Sequence, residues 1–502
     1  MNRFEQFIGF IAPGYSLKRM QAKADAYLID KRLQRMTDRD DLYRHWEGAT
    51  TGRRGAGFKG ANGQSANKEV VKYNKALRER SRYMNKNTPT TKRAVRVIAN
   101  NVVGLGIIPT PKSENQALVK KLKDHWKLWG ESRICDWNEK GNFYFLEKLS
   151  MKTVALSGEC IAIRKRVPSS VNKLGLQIML LEPDFIDSMK NEDKTTSGGY
   201  IQSGIEYNSE GKRIGYWIFP VHPDIRAEES VFIKIEDIAH SHEVDRPGQD
   251  RGVPFGSATI LTEKDLDDYK DSEIMAKKTG AAFAGFVTNQ DEDDDSNSED
   301  YDDLRNMKIE PGSLYKLGPK EDIRFSTPPG SSTFEPFITL YKREIAAGYG
   351  VSYEQLTGDY SRVNFSSGRM GWIESSRNFD DWQWNCIISM FCETVYGWFL
   401  DAVAQVENIK DIRTSVSVTW TTPRREMIDP VKEVTALKEQ LKSGMISWQE
   451  VVRMQSYIPD ELFAELQEDY KRFKGLPVDW IPPQPPQPPN DQGTNNTDQP
   501  KK

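Results

Sequence analysis

The sequence predicts an α+β protein, mostly helical, divided into several domains. Three observations carry this. Apolar residues recur at helical spacing through most of the chain, but between Cys160 and Ile235 the pattern switches to period two. At 502 residues the chain is too long for one hydrophobic core, so about two to four domains are expected.

The elements follow in order. Residues 22–43 have helical periodicity with many charges. GATTGRRGAGFKGANGQSAN, Gly48 to Asn67, is a Gly-rich basic linker that cannot bury enough to order itself. Lys68 to Arg82 reads as a charged helix. Thr90 to Val103 reads as an amphipathic one, with Val95, Ile98, Ala99 and Val102 on one face and a stop at Gly104. Helices over 117–130 and 142–157 follow.

The period-two stretches are CIAIRKRV, LQIMLLEPDFI, GIEYNSEGKRIGYWIF and SVFIKI, with Asn208 to Gly211 as a hairpin turn. Gly256 to Gly285 returns to helix with Ser257 as its candidate N-cap. Short strands are expected around PGSLYKL and DIRFSTP, and a helix over Thr333 to Gly348. Met370 to about Gln405 lacks proline and reads as one helix on the order of 50 Å long. Val416 to Trp420 is a strand. Asp429 to Ser443 is a helix, Ser447 to Glu450 is a capping box opening the next, and Asp460 to Lys474 is a third. The tail, PPQPPQPPNDQGTNNTDQPKK, is polyproline and then disorder.

Apolar content of 37% against 28% charged residues predicts a soluble, rather polar chain. No run of about 18 apolar residues predicts a membrane span. The apolar patch Phe7 to Ala12 follows Glu5 and lacks a small-residue cleavage site, so it reads as a packing segment or removable tail. Cys135, Cys160, Cys386 and Cys392 include no CxxC pair and read as structural thiols in a reducing compartment. The net charge of −3 conceals an asymmetry. Residues 1–100 carry 22 Lys+Arg and 9 Asp+Glu, a surplus of 13, which suggests an anionic contact or else a solvated basic tail. Asp291 to Asp303 carries nine acids in thirteen residues and reads as a solvated loop without the spaced ligands and glycine of a calcium loop.

The chain lacks catalytic signatures. No GxxxxGK[ST] phosphate loop and no GxSxG elbow occur. Of five histidines, His240 and His242 form the best metal candidate, on one face of a strand near Glu243 and Asp245, but no third histidine is close in sequence and no metal site is expected. Trp126, Trp129, Trp372, Trp382, Trp384 and Trp398 sit at helical spacings and read as core or subunit interface. No cofactor is expected.

The most informative stretch is GYGVSYEQLTGDYSRVNFSSGRMGWIE, Gly348 to Glu374, a polar loop between two helices. With TPTTKRAVRVIANNVVGLGI, LEPDFID and HEVDRPGQDRGVPFG, in that order along the chain, it resembles the portal proteins of lambda-like tailed bacteriophages. The resemblance implies a portal fold with wing, stem, clip and crown, assembled into a ring around a central channel. It implies a non-enzymatic function: a dodecameric head–tail connector at one capsid vertex, through which DNA is packaged and ejected.

Carried onto this chain, the resemblance gives a partly disordered basic arm at 1–85 and a wing at 86–255. A first stem helix spans 256–285, a clip 286–331 with the acidic insertion 291–303, and a second stem helix 332–350. A tunnel loop spans 351–371, the long wing helix and strand 372–425, a helical crown 426–475 and a Pro-rich tail 476–502.

The implied DNA-contacting residues are Ser352, Tyr353, Tyr360, Ser361, Arg362, Asn364, Ser366, Ser367 and Arg369, which touch phosphate without reading sequence. Strong cationic lining would hold the duplex, so a largely polar or acidic channel is expected. Among the stem acids Glu263, Asp265, Asp267, Asp268, Asp271 and Glu273, the channel-facing candidates are Glu263, Asp267 and Asp271, with Lys270 and Lys277. The candidate motor-docking residues of the clip are Lys308, Glu310, Tyr315, Lys316 and Lys320.

The implied partners are other copies of the chain, double-stranded viral DNA, the large terminase, major capsid and scaffold proteins, and head-completion or tail-connector proteins, with no membrane. The implied location is the virion, with assembly in the host cytoplasm. Two other classes stay open on the residues alone: a DNA-acting packaging enzyme (ATPase or nuclease), and a minor capsid protein without a channel.

Overall fold

A computed structural model describes residues 63–281, 334–425 and 429–473, strands 285–289 and 321–325, and helical positions 22, 25–27 and 29. The chain divides into two units, Met1–Ser65 and Ala66–Lys502, and every labelled element belongs to the second. The Gly-rich linker, the acidic run, the strand expected at PGSLYKL and the Pro-rich tail lie outside the described residues.

Helix α1 (Ala66–Asn87) and α2 (Pro89–Val102) are joined at Thr88, with Pro89 opening the second helix, where its missing N–H is no loss. They bury contrasting faces. On α2, Ala94, Val95, Ile98, Ala99 and Val102 enter the core as their spacing requires. On α1 the buried side chains are Ala66, Asn74, Arg78, Ser81 and Met84, so that helix docks largely through polar groups. The expected arm boundary at residue 85 falls inside it.

Strand β1 (Ile108–Lys112) was hidden by Pro109 and Pro111, yet it pairs antiparallel with β11 (Ser417–Thr421), Pro109 opposite Trp420. Between them in the chain lie α3 (Gln116–Trp129) and α4 (Phe143–Ser157), capped by Asn115 and Asn142. The antiparallel region forms two sheets. One has the order β3 (Leu176–Leu181), β2 (Glu159–Arg166), β8 (Ile238–His242). The other runs β4 (Tyr200–Gln202), β5 (Ile205–Tyr207), β6 (Arg213–Ile218), β7 (Val231–Lys234), with the hairpin turn at 208–211 as expected. Ile161, Ile163, Tyr207, Tyr216 and Ile218 fill the layer between the sheets.

A 3₁₀ turn, Phe255–Thr259, leads into α5 (Ile260–Ala281). Ser257 is therefore inside a turn, its N–H bonded to Pro254 O, and does not cap the helix. The helix ends before Gly285, where β9 (Gly285–Asn289) pairs with β10 (Glu321–Phe325). Helix α6 (Phe334–Gly348) then returns alongside α5, with Tyr269 between Phe334 and Phe337 at ring separations of 5.8 and 4.4 Å.

The long helix α8 runs from Phe365 to Glu407, five residues earlier than its apolar pattern suggested. Its middle, Trp382–Cys392, is π-helical between two ordinary helical arms. The helix is long and apolar enough to cross a membrane, but 67% of its most apolar window is buried within the fold, as in a core helix. Ile387, Phe391, Val395, Trp398, Phe399 and Val403 are buried along it. Around Trp126 gather Trp129, Phe143, Tyr396 and Phe399, with ring separations of 5.6, 4.9, 5.3 and 5.0 Å. Burial of such side chains contributes roughly 1.5–3 kcal/mol each. Trp398 also donates to Glu236 O at 2.7 Å, whereas Trp384 is half exposed.

Three helices close the described chain: α9 (Pro430–Lys442), α10 (Trp448–Met454) and α11 (Pro459–Phe473). Ser447 caps α10 as expected, but Glu450 pairs with Arg453 at 2.8 Å.

Gly158 marks a close approach. Its φ is +90°, and a Cβ there would lie 2.6 Å from the Val253 carbonyl carbon. Gly252, across from it, would place a Cβ 2.0 Å from Gly158 O. Two backbones touch because neither residue has a side chain.

Candidate nucleic-acid interface

The polar segment after α6 is more ordered than its composition implied. Gly350, at φ +68°, turns the chain, and its carbonyl accepts from Asn378 Nδ2 at 2.9 Å. Ser352 then caps a short helix, α7 (Tyr353–Thr357): Gln355 N–H donates to Ser352 Oγ at 3.2 Å and Ser352 N–H to Gln355 Oε1 at 3.0 Å. Leu356 anchors this helix in the core, and Arg93 of α2 donates to Gln355 O at 2.8 Å. Ser-Tyr-Glu-Gln is a capping-box signal legible in the sequence, but the loop reading passed over it.

Gly358 in the left-handed region ends α7 and releases the exposed tip. Asp359 accepts from Ser361 N–H at 3.0 Å and Ser361 Oγ at 2.6 Å, and these bonds hold its carboxyl below the usual range. Tyr360 is 61% exposed. Arg362 pairs with Glu335 at 2.7 Å, both in solvent. Asn364 caps α8, accepting from Ser367 N–H at 2.8 Å, while Ser367 Oγ accepts from Asn364 N–H.

The nine residues expected to contact DNA therefore divide. Ser352, Ser361, Asn364 and Ser367 build the turn and the caps, and Tyr353 is half-buried beside Arg343. Tyr360, Arg362 and Ser366 are exposed on the tip, with Arg369 half-buried just beyond. The tip offers hydroxyls, amides and guanidinium groups at the start of a long helix, a set suited to phosphate contact without base reading.

The stem candidates also divide. Glu263 is 3% exposed and accepts from Thr88, Thr91 and Thr259. Burial pushes its carboxyl up, and the hydrogen bonds only partly oppose this. It is an internal brace between α2 and α5, not a surface group. The position looked like its polar neighbours because a run of acids hides which one has hydroxyl partners inside. Asp267 pairs with Lys270 at 3.5 Å, Lys277 faces Glu273 at 3.8 Å, and Asp271 is exposed. Lys308, Glu310, Tyr315, Lys316 and Lys320 lie outside the described residues.

His240 and His242 point into a buried polar network. His240 engages Glu159 through Nε2 at 3.1 Å and Tyr216 through Nδ1 at 3.1 Å, so both ring nitrogens are occupied by protein groups. Burial, then the neighbouring His240, push His242 down to about 3. Glu243, the nearby carboxylate, accepts from Trp382 Nε1 at 2.7 Å. A second acidic group, Glu182 and Asp184 with His222, has both carboxylates facing Arg82, at 3.2 and 2.5 Å.

At the centre of the network Glu159 meets Arg251, His240, Asn74 and the Gly252 N–H. Sequence reading did not find it, because its members are spread from residue 74 to residue 252. The four cysteines are buried and unpaired; Cys392 donates to Glu147 at 3.2 Å.

The family described as "Phage portal protein, lambda family" matches this chain over residues 51–383. A probable portal protein of Halomonas phage phiHAP-1 is 26% identical over 446 residues, covering 83% of this chain and 84% of its own. Portal protein B of Escherichia phage lambda is 20% identical over 398 residues, covering 70% and 74%. Among solved structures, a chain of the virion of a native gene transfer agent particle is similar at a TM-score of 0.44 and 13% identity, covering 77% of this chain and 94% of that one.

Proposed function

This chain belongs to the lambda family of phage portal proteins, virion connectors rather than enzymes, and from that premise we propose that it forms a dodecameric ring at one capsid vertex. Viral DNA passes through the ring during packaging and again during ejection. The observation that carries this reading is the arrangement of α5, the β9–β10 pair and α6, followed by an exposed polar tip. Two helices flanking a small strand insertion can cross a shell side by side, and repetition about an axis makes a channel wall.

In this reading the wing is residues 86–255 with 372–425, and the stem is α5 and α6. The clip, 286–331, docks the large terminase and later the head-completion proteins, with Lys308, Glu310, Tyr315, Lys316 and Lys320 as candidate contacts. The crown is residues 426–475. Residues 358–370 touch the passing duplex through Tyr360, Arg362, Ser366 and Arg369, while Ser352, Ser361, Asn364 and Ser367 hold that tip in shape. Asp267, Lys270, Asp271 and Lys277 face the channel, and no strong positive lining is needed for the duplex to slide. Scaffold and major capsid proteins surround the ring, which assembles in the host cytoplasm.

Native mass spectrometry with negative-stain imaging of the purified protein tests this. Closed rings of about a dozen subunits with a duplex-wide hole are expected from the symmetry of such assemblies. A stable monomer or compact dimer that hydrolyses ATP would overturn it.

A further inference from the structure

The positive surplus of the first hundred residues has no role in the channel reading. Ten of that region's 22 Lys+Arg lie on the described helices α1 and α2. Lys68, Lys72, Lys75, Arg80 and Lys86 are exposed on α1, and Lys92, Arg93 and Arg96 on α2, against only Glu69 and Glu79. Glu69 is already paired with Arg246 at 2.6 Å.

The α1 lysines are ordered along the helix. Lys68, Lys72, Lys75 and Lys86 fall on one stripe at i, i+4, i+7 and i+18, which extends along about 27 Å of axis, with the exposed Glu79 at i+11 as the one acid on it. The stripe lies on the side away from Asn74, Arg78 and Ser81, which bond inward to Gly252 O, Asp184 and Leu156 O. Arg78 and Arg82 are neutralised inside by Glu159, Asp184 and Glu182. Lys68, Lys75 and Lys86 have no acidic partner among the described residues, and Lys72 lies over the Tyr73 ring at 5.0 Å.

We propose that the outer face of α1 is a second DNA-docking surface, separate from the tip at 358–370, that binds the phosphate backbone of duplex DNA without reading sequence. Lysine is depleted in the core of protein–protein interfaces, and this stripe has no apolar anchor among its lysines. Exposed cations gathered on one helix face, three of them within about two turns, match what phosphate contacts use. Single-strand binding uses a run of aromatic rings as stacking platforms, whereas α1 exposes two, Tyr73, which Lys72 already covers, and Tyr83. The inference takes its DNA partner from the portal reading, but the site is independent of the channel.

The test is fluorescence anisotropy of the full-length protein with a short mixed-sequence duplex, titrated across salt concentrations. The variant is Lys68→Gln/Lys72→Gln/Lys75→Gln/Lys86→Gln, with Arg362→Gln/Arg369→Gln beside it. The four-lysine variant is expected to bind about tenfold or more weakly at low salt, with a log–log salt slope shallower by about 3 to 4. Its melting and its oligomeric state should match the parent, because all four positions are exposed. Unchanged affinity and slope would overturn the inference and leave the channel reading intact. Tighter binding of a single strand or of a polyglutamate peptide than of the duplex would also overturn it. Failure to form rings with the lysine effect preserved would instead count against the portal reading alone.

Discussion

Arg251 grips Glu159 through three short contacts: Nη2 to Oε1 at 2.7 Å, and Nε to both oxygens at 3.0 Å. Neither side chain is more than 2% exposed. Gly252 N–H adds a bond at 3.0 Å, and His240 and Asn74 complete the cage. This pair ties strand β2 to the segment that precedes α5. Through Asn74 and Arg78 it also receives α1. A helix with few apolar residues on its buried face is held by a charge it reaches across the sheet.

Removing one partner leaves the other buried and unpaired, which costs about 3–5 kcal/mol. Glu159→Gln is therefore expected to lose that much in urea denaturation. Burial alone would raise the Glu159 carboxyl, but the Arg251 charge and the bonds from His240 and Arg251 hold it well below its usual value. The folded state thus favours the ionised form. Its stabilisation is present above the ordinary carboxylate range and is lost as pH falls through the depressed value. Parent and variant should converge in acid, and a uniform offset at every pH would contradict the assignment.

Glu147 behaves in the opposite sense. Burial raises its carboxyl from 4.5 to about 8, against the bonds from Ile107 N–H and the Cys392 thiol. It is neutral when folded at pH 7 and ionised when unfolded. Stability from this group is complete below about pH 4.5 and is lost as pH rises toward 8, at about 1.4 kcal/mol per pH unit. Glu147→Gln should gain on the parent across that window. Parallel melting curves at pH 5 and pH 8 would rule it out.

Gly158→Ala is expected to destabilise by about 1–3 kcal/mol, because the left-handed backbone and the Val253 contact both oppose a side chain. Gly198→Ala is the control. It also has positive φ, +82°, but open space around it. Chemical denaturation should separate the two, and equal losses would mean that the touching backbones at Gly158 contribute nothing.

At the tip, Arg362→Gln should change stability by no more than about 0.5 kcal/mol, since an exposed ion pair contributes little. If the tip meets DNA as proposed, the same change should reduce the DNA retained in assembled heads. A destabilised subunit with normal DNA retention would show the residue to be structural.

Helix positions with an apolar stripe were legible in the sequence, as were the period-two strands, because burial writes those patterns directly. What stayed hidden has polar causes. The buried face of α1 is Asn74, Arg78 and Ser81, invisible to a search for apolar spacing. The start of α8 at Phe365 is set by Asn364 and Ser367, which look like loop residues until their reciprocal bonds are seen. Glu263 stood in a row of acids, and only its threonine partners distinguish it. β1 was concealed by prolines whose pairing partner lies about three hundred residues away.

The π-helical middle of α8 has a consequence for evolution of the chain. A wider turn holds an extra residue without breaking the helix. Across Trp382–Cys392 the two arms of α8 are therefore out of phase, and each can present its own side to its own neighbours. Such a segment works as a slip joint. A deletion there would tighten the wide turns toward an ordinary α-helix and re-index one arm against the other, so the register of the two arms can be tuned at this one place.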